Sequence, residues 1–277
     1  MKYPVLIAAF AAMLAMHAGA AGYDDLSHGI DANLRDDSKA AIAAFTAALA
    51  DADLNPAMIP NAHFGRAVAY LHEKRCAEAQ ADVDAATKLK PGYSDAIALR
   101  VQVDLCLNRP EKAVEDFEPL IEASPTRMAL YSERGRVRWL AGDFLGAAAD
   151  FEKVSQKDSY DAYAVLWLEL ARLRAGTLDI TRAKRDVSDL NLMTWPEPLL
   201  NVVLGEDTVE EANAAAARGD EQTVKNQQCE ANFYLAEWMI AQKDQAAAKP
   251  MLEQARDKCP KNFIEQPVAE GELANLK

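Results

Sequence analysis

The fold is decided by a pattern that the sequence repeats three times at intervals of 34 residues: PNAHFGRAVAYLHEKRCAEAQADVDAATKLKPGY (60–93), SDAIALRVQVDLCLNRPEKAVEDFEPLIEASPTR (94–127) and MALYSERGRVRWLAGDFLGAAADFEKVSQKDSYD (128–161). One position of the pattern is always alanine (Ala79, Ala113, Ala147), and a large apolar residue follows four positions later (Val83, Phe117, Phe151). Small residues let two helices cross closely, and large ones fill the gaps between crossings. Pro91 and Pro125 end the first two copies, because proline cannot continue a helix. Each copy therefore predicts a pair of antiparallel helices.

This period, with alanines at fixed offsets and a closing proline, resembles the tetratricopeptide repeat (TPR). The resemblance implies an all-α fold. We expect a TPR solenoid of antiparallel helix pairs with an irregular helical insert before the last repeat. Each repeat of a solenoid buries its face on its neighbour.

The remaining segments are assigned by how well they match the repeat. Ala41, Phe45 and Ala48 take the offsets of a second helix, whereas Trp195-Pro196-Glu197-Pro198 interrupts the array. Thr208-Val-Glu-Glu211 has the form of a capping box that opens a helix. We expect one TPR domain over 21–277, divided as follows: a degenerate repeat (23–59), repeats at 60–93, 94–127 and 128–161, a divergent repeat (162–195), irregular helices (196–228), a repeat (229–262) and a capping helix (263–277).

Residues 1–20 have the features of a secretory signal peptide. Lys2 gives a positive end, 5–16 is an apolar run, and Ala18-Gly19-Ala20 offers small residues for cleavage after Ala20. The run is shorter than the ~20 residues of a membrane anchor, which is the alternative. No cysteine precedes Cys76, so no lipid anchor is expected. The sequence predicts a periplasmic protein, exported across the inner membrane and soluble.

The charge of the chain limits its partners. Its 43 acidic and 30 basic residues give a formal net charge of −13. Nucleic acids and anionic membrane surfaces both attract basic patches, so neither is an expected partner.

The four cysteines are evenly placed, with Cys76 and Cys106 separated by 30 residues, as are Cys229 and Cys259. Four cysteines allow three pairings. In a solenoid, Cys76 would lie at the start of the second helix of one repeat, and Cys106 at the end of the first helix of the next repeat. These two helices pack antiparallel, so the two cysteines would be neighbours. Cys229 and Cys259 would lie at the beginning and the end of a single helical hairpin, which also brings them together. We therefore expect disulfides Cys76–Cys106 and Cys229–Cys259, with four free thiols as the alternative; no CxxC accompanies them to indicate a metal site.

A second resemblance covers the C-terminal part. Glu230-Ala-Asn-Phe-Tyr-Leu235 and Asn262-Phe-Ile-Glu265, with the Trp195 stretch, Leu199–Gly205 and Thr208–Ala216, resemble the NlpI-type periplasmic TPR proteins. The resemblance implies an adaptor that brings substrates to a periplasmic protease, assembles peptidoglycan hydrolases and forms a homodimer. Members of that family are typically lipoproteins, and this sequence lacks the lipid-accepting cysteine. No functional residue is transferred from the family.

The TPR resemblance implies a concave groove lined by positions 2, 5, 9, 12 and 13 of each repeat. That surface is mixed and aromatic, which suits extended peptide segments of envelope proteins. The expected partner-binding residues are Asn61, Phe64, Val68, Gln102, Ser132, Arg136, Trp139, Tyr163 and Leu166. The same positions include Leu71 and Leu105, and for these two and Trp139 packing between repeats is the alternative.

Three arginines, Arg66, Arg100 and Arg134, also recur every 34 residues. They are expected to pair with acidic residues of the chain; the alternative is a ladder that binds an acidic partner.

The sequence contains no recognisable catalytic motif. His72-Glu73 lacks the second histidine of a zinc-protease helix, and there is no Gly-x-Ser-x-Gly and no phosphate-binding loop. Carboxylates on the helices are expected to face solvent. We therefore expect no catalytic residue, no metal and no cofactor, and a non-enzymatic adaptor or scaffold for proteases or peptidoglycan hydrolases. A structural subunit of an envelope assembly or secretion complex is the alternative.

Overall fold

A computed structural model describes residues 21–157, 161–188, 190 and 194–276. The predicted signal peptide lies outside these residues. Within them the chain is helical, and no strand occurs in the described ranges. The prediction of an all-α fold built from helix pairs is confirmed.

The chain divides into two compact units that meet in sequence at residues 125 and 126. The first unit contains α1 (Ala21–Leu34), α2 (Ser38–Ala50), a 3₁₀ helix (Pro56–Met58), α3 (Ile59–His72), α4 (Cys76–Leu89), α5 (Ser94–Cys106), α6 (Pro110–Glu115) and α7 (Phe117–Ala123). The second unit contains α8 (Met128–Leu140), α9 (Phe144–Lys157), α10 (Ala162–Arg174), α11 (Ile180–Ser188), α12 (Glu197–Leu204), α13 (Val209–Ala216), α14 (Glu221–Ala241), α15 (Gln245–Lys258) and α16 (Glu265–Asn275).

Both units use the same turn between the helices of a pair. A backbone N–H just past the first helix donates to the carbonyl five residues earlier, and the residue before the donor has a positive φ. In the first unit the bonds are Arg75 N to Tyr70 O (2.9 Å) and Arg109 N to Asp104 O (2.8 Å); in the second they are Asp143 N to Arg138 O and Thr177 N to Arg172 O (both 2.8 Å). Gly142 and Gly176 occupy the left-handed position in two of these turns, where glycine carries no steric penalty.

The small and large residues of the repeat pack as their spacing predicts. Ala79 and Ala113 are completely buried in the first unit, as is Ala147 in the second. Phe151 lies beside Ala147 in one core and stacks on Trp167 at 5.4 Å between ring centroids. The close crossing that alanine permits is therefore present in each unit.

Two helices differ in extent from the repeat pattern. The second helix of 94–127 is divided at Asp116 into α6 and α7. Pro119 has no N–H to donate to Glu115, which removes one helical hydrogen bond at this place. The helix α14 begins at Glu221, eight residues before the predicted repeat, because the Asp220 side chain caps it by accepting from Thr223 N. The capping box of Thr208 and Glu211 is present at α13.

The C-terminal helix α16 lies against three other helices of the second unit. It contacts α15, which precedes it, and also α8 and α14, which are first helices of their pairs. Val268 and Ala269 are buried in these contacts. The side of α8 and α14 that an open solenoid would leave free is therefore covered here.

Candidate functional site

The predicted partner-binding residues of the first unit lie on α3 and α5. Asn61, Val68 and Gln102 are half-buried, so their side chains reach the surface. Phe64 is 7% exposed, and its ring centroid lies 5.4 Å from that of Tyr93, so Phe64 is a core residue.

We call the half-buried, uncharged side chains at the predicted groove positions of these two helices the inner strip. Successive residues of the strip are seven and three positions apart on α3, and four and three positions apart on α5, so each set lies on one helical face. The inner strip consists of Asn61, Val68 and Leu71 on α3 and of Ala98, Gln102 and Leu105 on α5. The two helices contact each other, so the two faces adjoin.

The two amides of the inner strip have unused hydrogen-bonding groups. Within the described part of the chain, neither Asn61 nor Gln102 makes a side-chain hydrogen bond. A carboxamide offers a donor and an acceptor, as a peptide group does. Apolar side chains, Val68, Leu71 and Leu105, accompany them. The strip therefore combines backbone-like polar groups with apolar contact area.

The recurring arginines are bound to aspartates of their own repeat. Each aspartate lies sixteen residues after its arginine and accepts from two guanidinium nitrogens. The pairs are Arg66–Asp82 (2.7 Å), Arg100–Asp116 (2.5 Å) and Arg134–Asp150 (2.7 Å). Burial favours a raised pKa for Asp82, yet its bonds to Arg66 and His63 outweigh this and hold that pKa below its usual value. The expectation that these arginines pair within the chain is confirmed, and they do not form a free ladder.

A disulfide lies at one end of the inner strip. Cys76 begins α4 and is joined to Cys106, the last residue of α5, with 5.9 Å between their Cα atoms. We call this bond the first-unit disulfide. Leu105 of the strip precedes Cys106, so the bond fixes the end of α5 against the helix pair that contains α3. The second-unit disulfide joins Cys229 of α14 to Cys259 after α15, with 5.0 Å between Cα atoms.

The predicted residues of the second unit are divided between surface and core. Ser132, Arg136 and Tyr163 are half-buried. Trp139 and Leu166 are completely buried, so neither reaches a partner in this conformation. Trp139 contacts Trp167 edge-to-face at 5.1 Å, and Leu166 belongs to the same core. For Trp139 the alternative of packing between repeats describes the structure, and Leu166 is likewise a core residue.

The helix α16 makes polar and close contacts where the groove of the second unit was expected. Tyr234 donates from its hydroxyl to Glu265 Oε1 at 2.8 Å. Arg174 pairs with Glu272 at 3.5 Å and with Glu237 of α14. Gly271 lies so near to Leu140 that a Cβ on it would be 2.5 Å from the leucine Cδ2. These contacts cover the inner side of α8 and α10.

Four glutamates are buried between α14 and α16. Glu230 and Glu237 lie seven residues apart on one helix, as do Glu265 and Glu272 on the other. Burial raises the pKa of all four carboxyl groups, and the nearby Glu272 raises that of Glu237 further. The expectation that helix carboxylates face solvent is wrong for these four.

Glu230 accepts two side-chain hydrogen bonds, and Arg136 lies near the buried glutamates. Tyr163 donates to Glu230 Oε2 at 2.8 Å and Trp195 donates to the same oxygen at 2.5 Å. Arg136 makes no ion pair or hydrogen bond with any described residue, and burial lowers the pKa of its guanidinium although Glu133 and Glu265 lie nearby. The burial of these four glutamates is not predicted from the sequence, and no local pattern distinguishes them from solvent-exposed glutamates on the same helices.

The described residues contain no group of three or more His, Cys, Asp or Glu arranged to hold a metal ion. Across the same ranges, every helix is too short or too polar to span a bilayer.

Comparison with solved structures identifies the architecture. The structure is similar to that of a tetratricopeptide repeat protein from Parabacteroides merdae ATCC 43184, with a TM-score of 0.59 and 14% identity over 91% of this chain and 98% of that one. The chain has a TPR fold. The C-terminal part of a TPR repeat-containing protein from Cytophaga hutchinsonii matches at a TM-score of 0.53 and 16% identity, covering 89% of this chain and 98% of that one.

A third TPR-like match is a chain in the structure of Naa15/Naa10 bound to HypK-THB. Its TM-score is 0.50 at 14% identity, and it covers 91% of this chain and 39% of the other. No protein-family model and no curated protein matches the sequence. The TPR fold is therefore established by structural similarity, because the sequence identities of 14% and 16% are too low to show it.

Proposed function

We propose that this TPR protein is a non-enzymatic adaptor or scaffold of the periplasm that binds extended segments of other envelope proteins, such as proteases or peptidoglycan hydrolases. The observation that carries the proposal is the inner strip, where two carboxamides lie among half-buried apolar side chains and have no side-chain hydrogen-bond partner among the residues that the structure describes. Polar groups left unpaired on such a surface are available to a partner.

The spacing along the inner strip suits an extended peptide. Asn61 is the second residue of its repeat and Gln102 is the ninth, so they differ by seven positions along two neighbouring first helices. Seven helical residues rise ~10 Å. Packed neighbouring helices also lie ~8–10 Å apart, so the combined separation is ~13 Å, which about four residues of extended chain span. The two amides are therefore positioned to bond two backbone groups of one segment while Val68, Leu71 and Leu105 contact its side chains.

Three further features support the proposal. Two disulfides are typical of oxidising compartments such as the periplasm. The first 20 residues have the pattern of a signal peptide. Among proteins of similar fold, Naa15/Naa10 is bound to HypK-THB.

A photo-crosslinking experiment tests the proposal. A benzophenone amino acid is placed at Ala98, inside the inner strip, and in a matched chain at Ala81, which is exposed on α4. Crosslinking is carried out in the native envelope with the full-length chain. We expect defined protein adducts at Ala98 and few at Ala81, and the Gln102→Ala change should reduce the Ala98 adducts.

The pattern of adducts decides between adaptor and structural subunit. Several adducts at Ala98 that depend on Gln102 support an adaptor. Adducts only at Ala81, or adducts at Ala98 that Gln102→Ala does not change, would contradict binding through the inner strip. One stoichiometric complex that is independent of the strip would instead favour a subunit of a fixed envelope assembly.

A further inference from the structure

The surface beneath α16 has the position of a TPR binding groove. It is formed by α8, α10 and α14, and its occupant is a helix of the same chain. Ala269 of α16 is completely buried, and Asn275 donates to the backbone carbonyl of Leu140 at 3.3 Å. An eleven-residue helix is therefore seated where a partner would lie.

The charges of this surface do not match those of its occupant. The underlying helices already supply at least as many carboxylates as guanidinium groups, since Glu230 and Glu237 lie with Arg136 and Arg174. The occupant adds Glu265 and Glu272, which are 4% and 2% exposed, without adding a cation at the contact. Buried charges without full compensation are costly. Burial of the apolar residues of α16 therefore stabilises its position, whereas burial of its two carboxylates is unfavourable.

We propose that the surface of α8, α10 and α14 is a second partner-binding site, that α16 occupies it in the resting protein, and that its partner is an amphipathic helix with uncharged residues where α16 has Glu265 and Glu272. An uncharged amide at the first of these positions still accepts the hydrogen bond of Tyr234. The close approach of Gly271 to Leu140 requires a small residue in the partner at that position. This site is separate from the inner strip and does not depend on it.

The test uses the full-length chain and two labelled peptides of residues 261–277. One peptide has the natural sequence, and the other carries Glu265→Gln and Glu272→Gln. In the protein, Val268→Asp places a charge at a buried position and releases α16, while Ala274→Asp adds the same charge on an exposed position of the same helix. Fluorescence anisotropy measures the affinity of each peptide.

We expect both peptides to bind the Val268→Asp protein and to bind the unmodified and Ala274→Asp proteins far more weakly. The resident helix is tethered and competes at an effective concentration of ~mM. The double-glutamine peptide should bind at least ~10-fold more tightly at pH 7.5, because an amide avoids the cost of burying a carboxylate without full compensation; a tenfold difference corresponds to ~1.4 kcal/mol.

The difference between the peptides should shrink as the pH is lowered, because burial raises the pKa of both glutamates and the bound natural peptide therefore takes up protons at a higher pH than the free one. The charged and titratable groups that face them are Glu133, Arg136, Tyr163, Arg174, Glu230, Tyr234 and Glu237. These groups belong to the protein and are the same whichever peptide is bound, so they do not create a difference between the peptides.

Two results would overturn the proposal. One is no saturable binding of either peptide to the Val268→Asp protein or to Val268→Ala, a milder change that keeps an apolar side chain and the fold. The other is equal affinity of the two peptides at pH 7.5, which removes the charge argument. Circular dichroism of each variant is measured to check that the remaining helices are intact.

Discussion

Replacing Arg134 by methionine measures what the recurring arginine–aspartate pair contributes to stability. Arg134 donates to Asp150 from Nε at 2.9 Å and from Nη2 at 2.7 Å, and the aspartate side chain is 2% exposed. Removing one partner of a buried ion pair costs ~3–5 kcal/mol, since the other charge stays buried. Arg138 still donates to Asp150 at 2.9 Å, so we expect the lower end of that range, ~3 kcal/mol.

The same change at Arg100 is a matched control at the equivalent repeat position. Arg100 and Asp116 are 29% and 10% exposed, so water compensates for part of the loss. We expect about 1 kcal/mol there, near the value of an exposed pair. Replacing both partners, as Arg134→Met with Asp150→Leu, should recover most of the loss because no charge is left unpaired.

Urea unfolding of the two units can be followed separately. All four tryptophans belong to the second unit, so tryptophan fluorescence reports Arg134→Met, whereas circular dichroism reports helix in both units. The reasoning is refuted if Arg134→Met lowers the free energy of unfolding by less than ~1 kcal/mol, or if the double variant is less stable than the single one.

Three further predictions concern other parts of the chain. Because Cys106 is exposed and the second-unit disulfide is buried, limited reduction followed by alkylation and mass mapping should open the first-unit disulfide first; equal rates would contradict this. Gly65→Ala places a Cβ 2.3 Å from the ring of Phe45, so denaturant titration should show a loss of ~1–3 kcal/mol, and an unchanged midpoint would count against it. Burial raises the pKa of Glu169 to about 7, so the folded protein binds a proton that the unfolded chain loses near pH ~4.3, and stability falls as the pH rises through this window. Thermal unfolding between those pH values should therefore be less pH-dependent in Glu169→Gln, and an unaltered slope would exclude the effect.

The helix pairs could be predicted from the sequence because their determinants are local or periodic. Ala79 and its equivalents mark the crossings, and aspartate is a favoured N-cap residue, as at Asp37, whose side chain accepts from Ala40 N at the start of α2. The partners of the arginines also follow the period, since an aspartate stands sixteen residues after each arginine. The sequence alone predicts acidic partners for these arginines without naming them, and this regularity is the signal that marks them.

The position of α16 over the surface of α8, α10 and α14 could not be predicted in the same way. The sequence predicts a capping helix over 263–277, and nothing local indicates contact with residues more than a hundred positions earlier. Trp139 and Leu166 are buried as a consequence of tertiary packing, although their repeat positions alone place them in a groove. The burial of Glu237 and Glu272 likewise depends on Arg174, which no spacing rule connects to them.

The proposal that the inner strip binds segments of other proteins is tested most directly by isothermal titration calorimetry. A partner identified by the photo-crosslinking experiment is purified and titrated with three forms of the chain. These are the unmodified protein, Gln102→Ala, and Gln245→Ala, a matched change at an exposed position of α15. Loss of two hydrogen bonds at ~0.5–1.5 kcal/mol each predicts an affinity reduced by about tenfold for Gln102→Ala. Gln245→Ala should leave the affinity unchanged. Equal affinities for all three proteins would contradict the role of the inner strip.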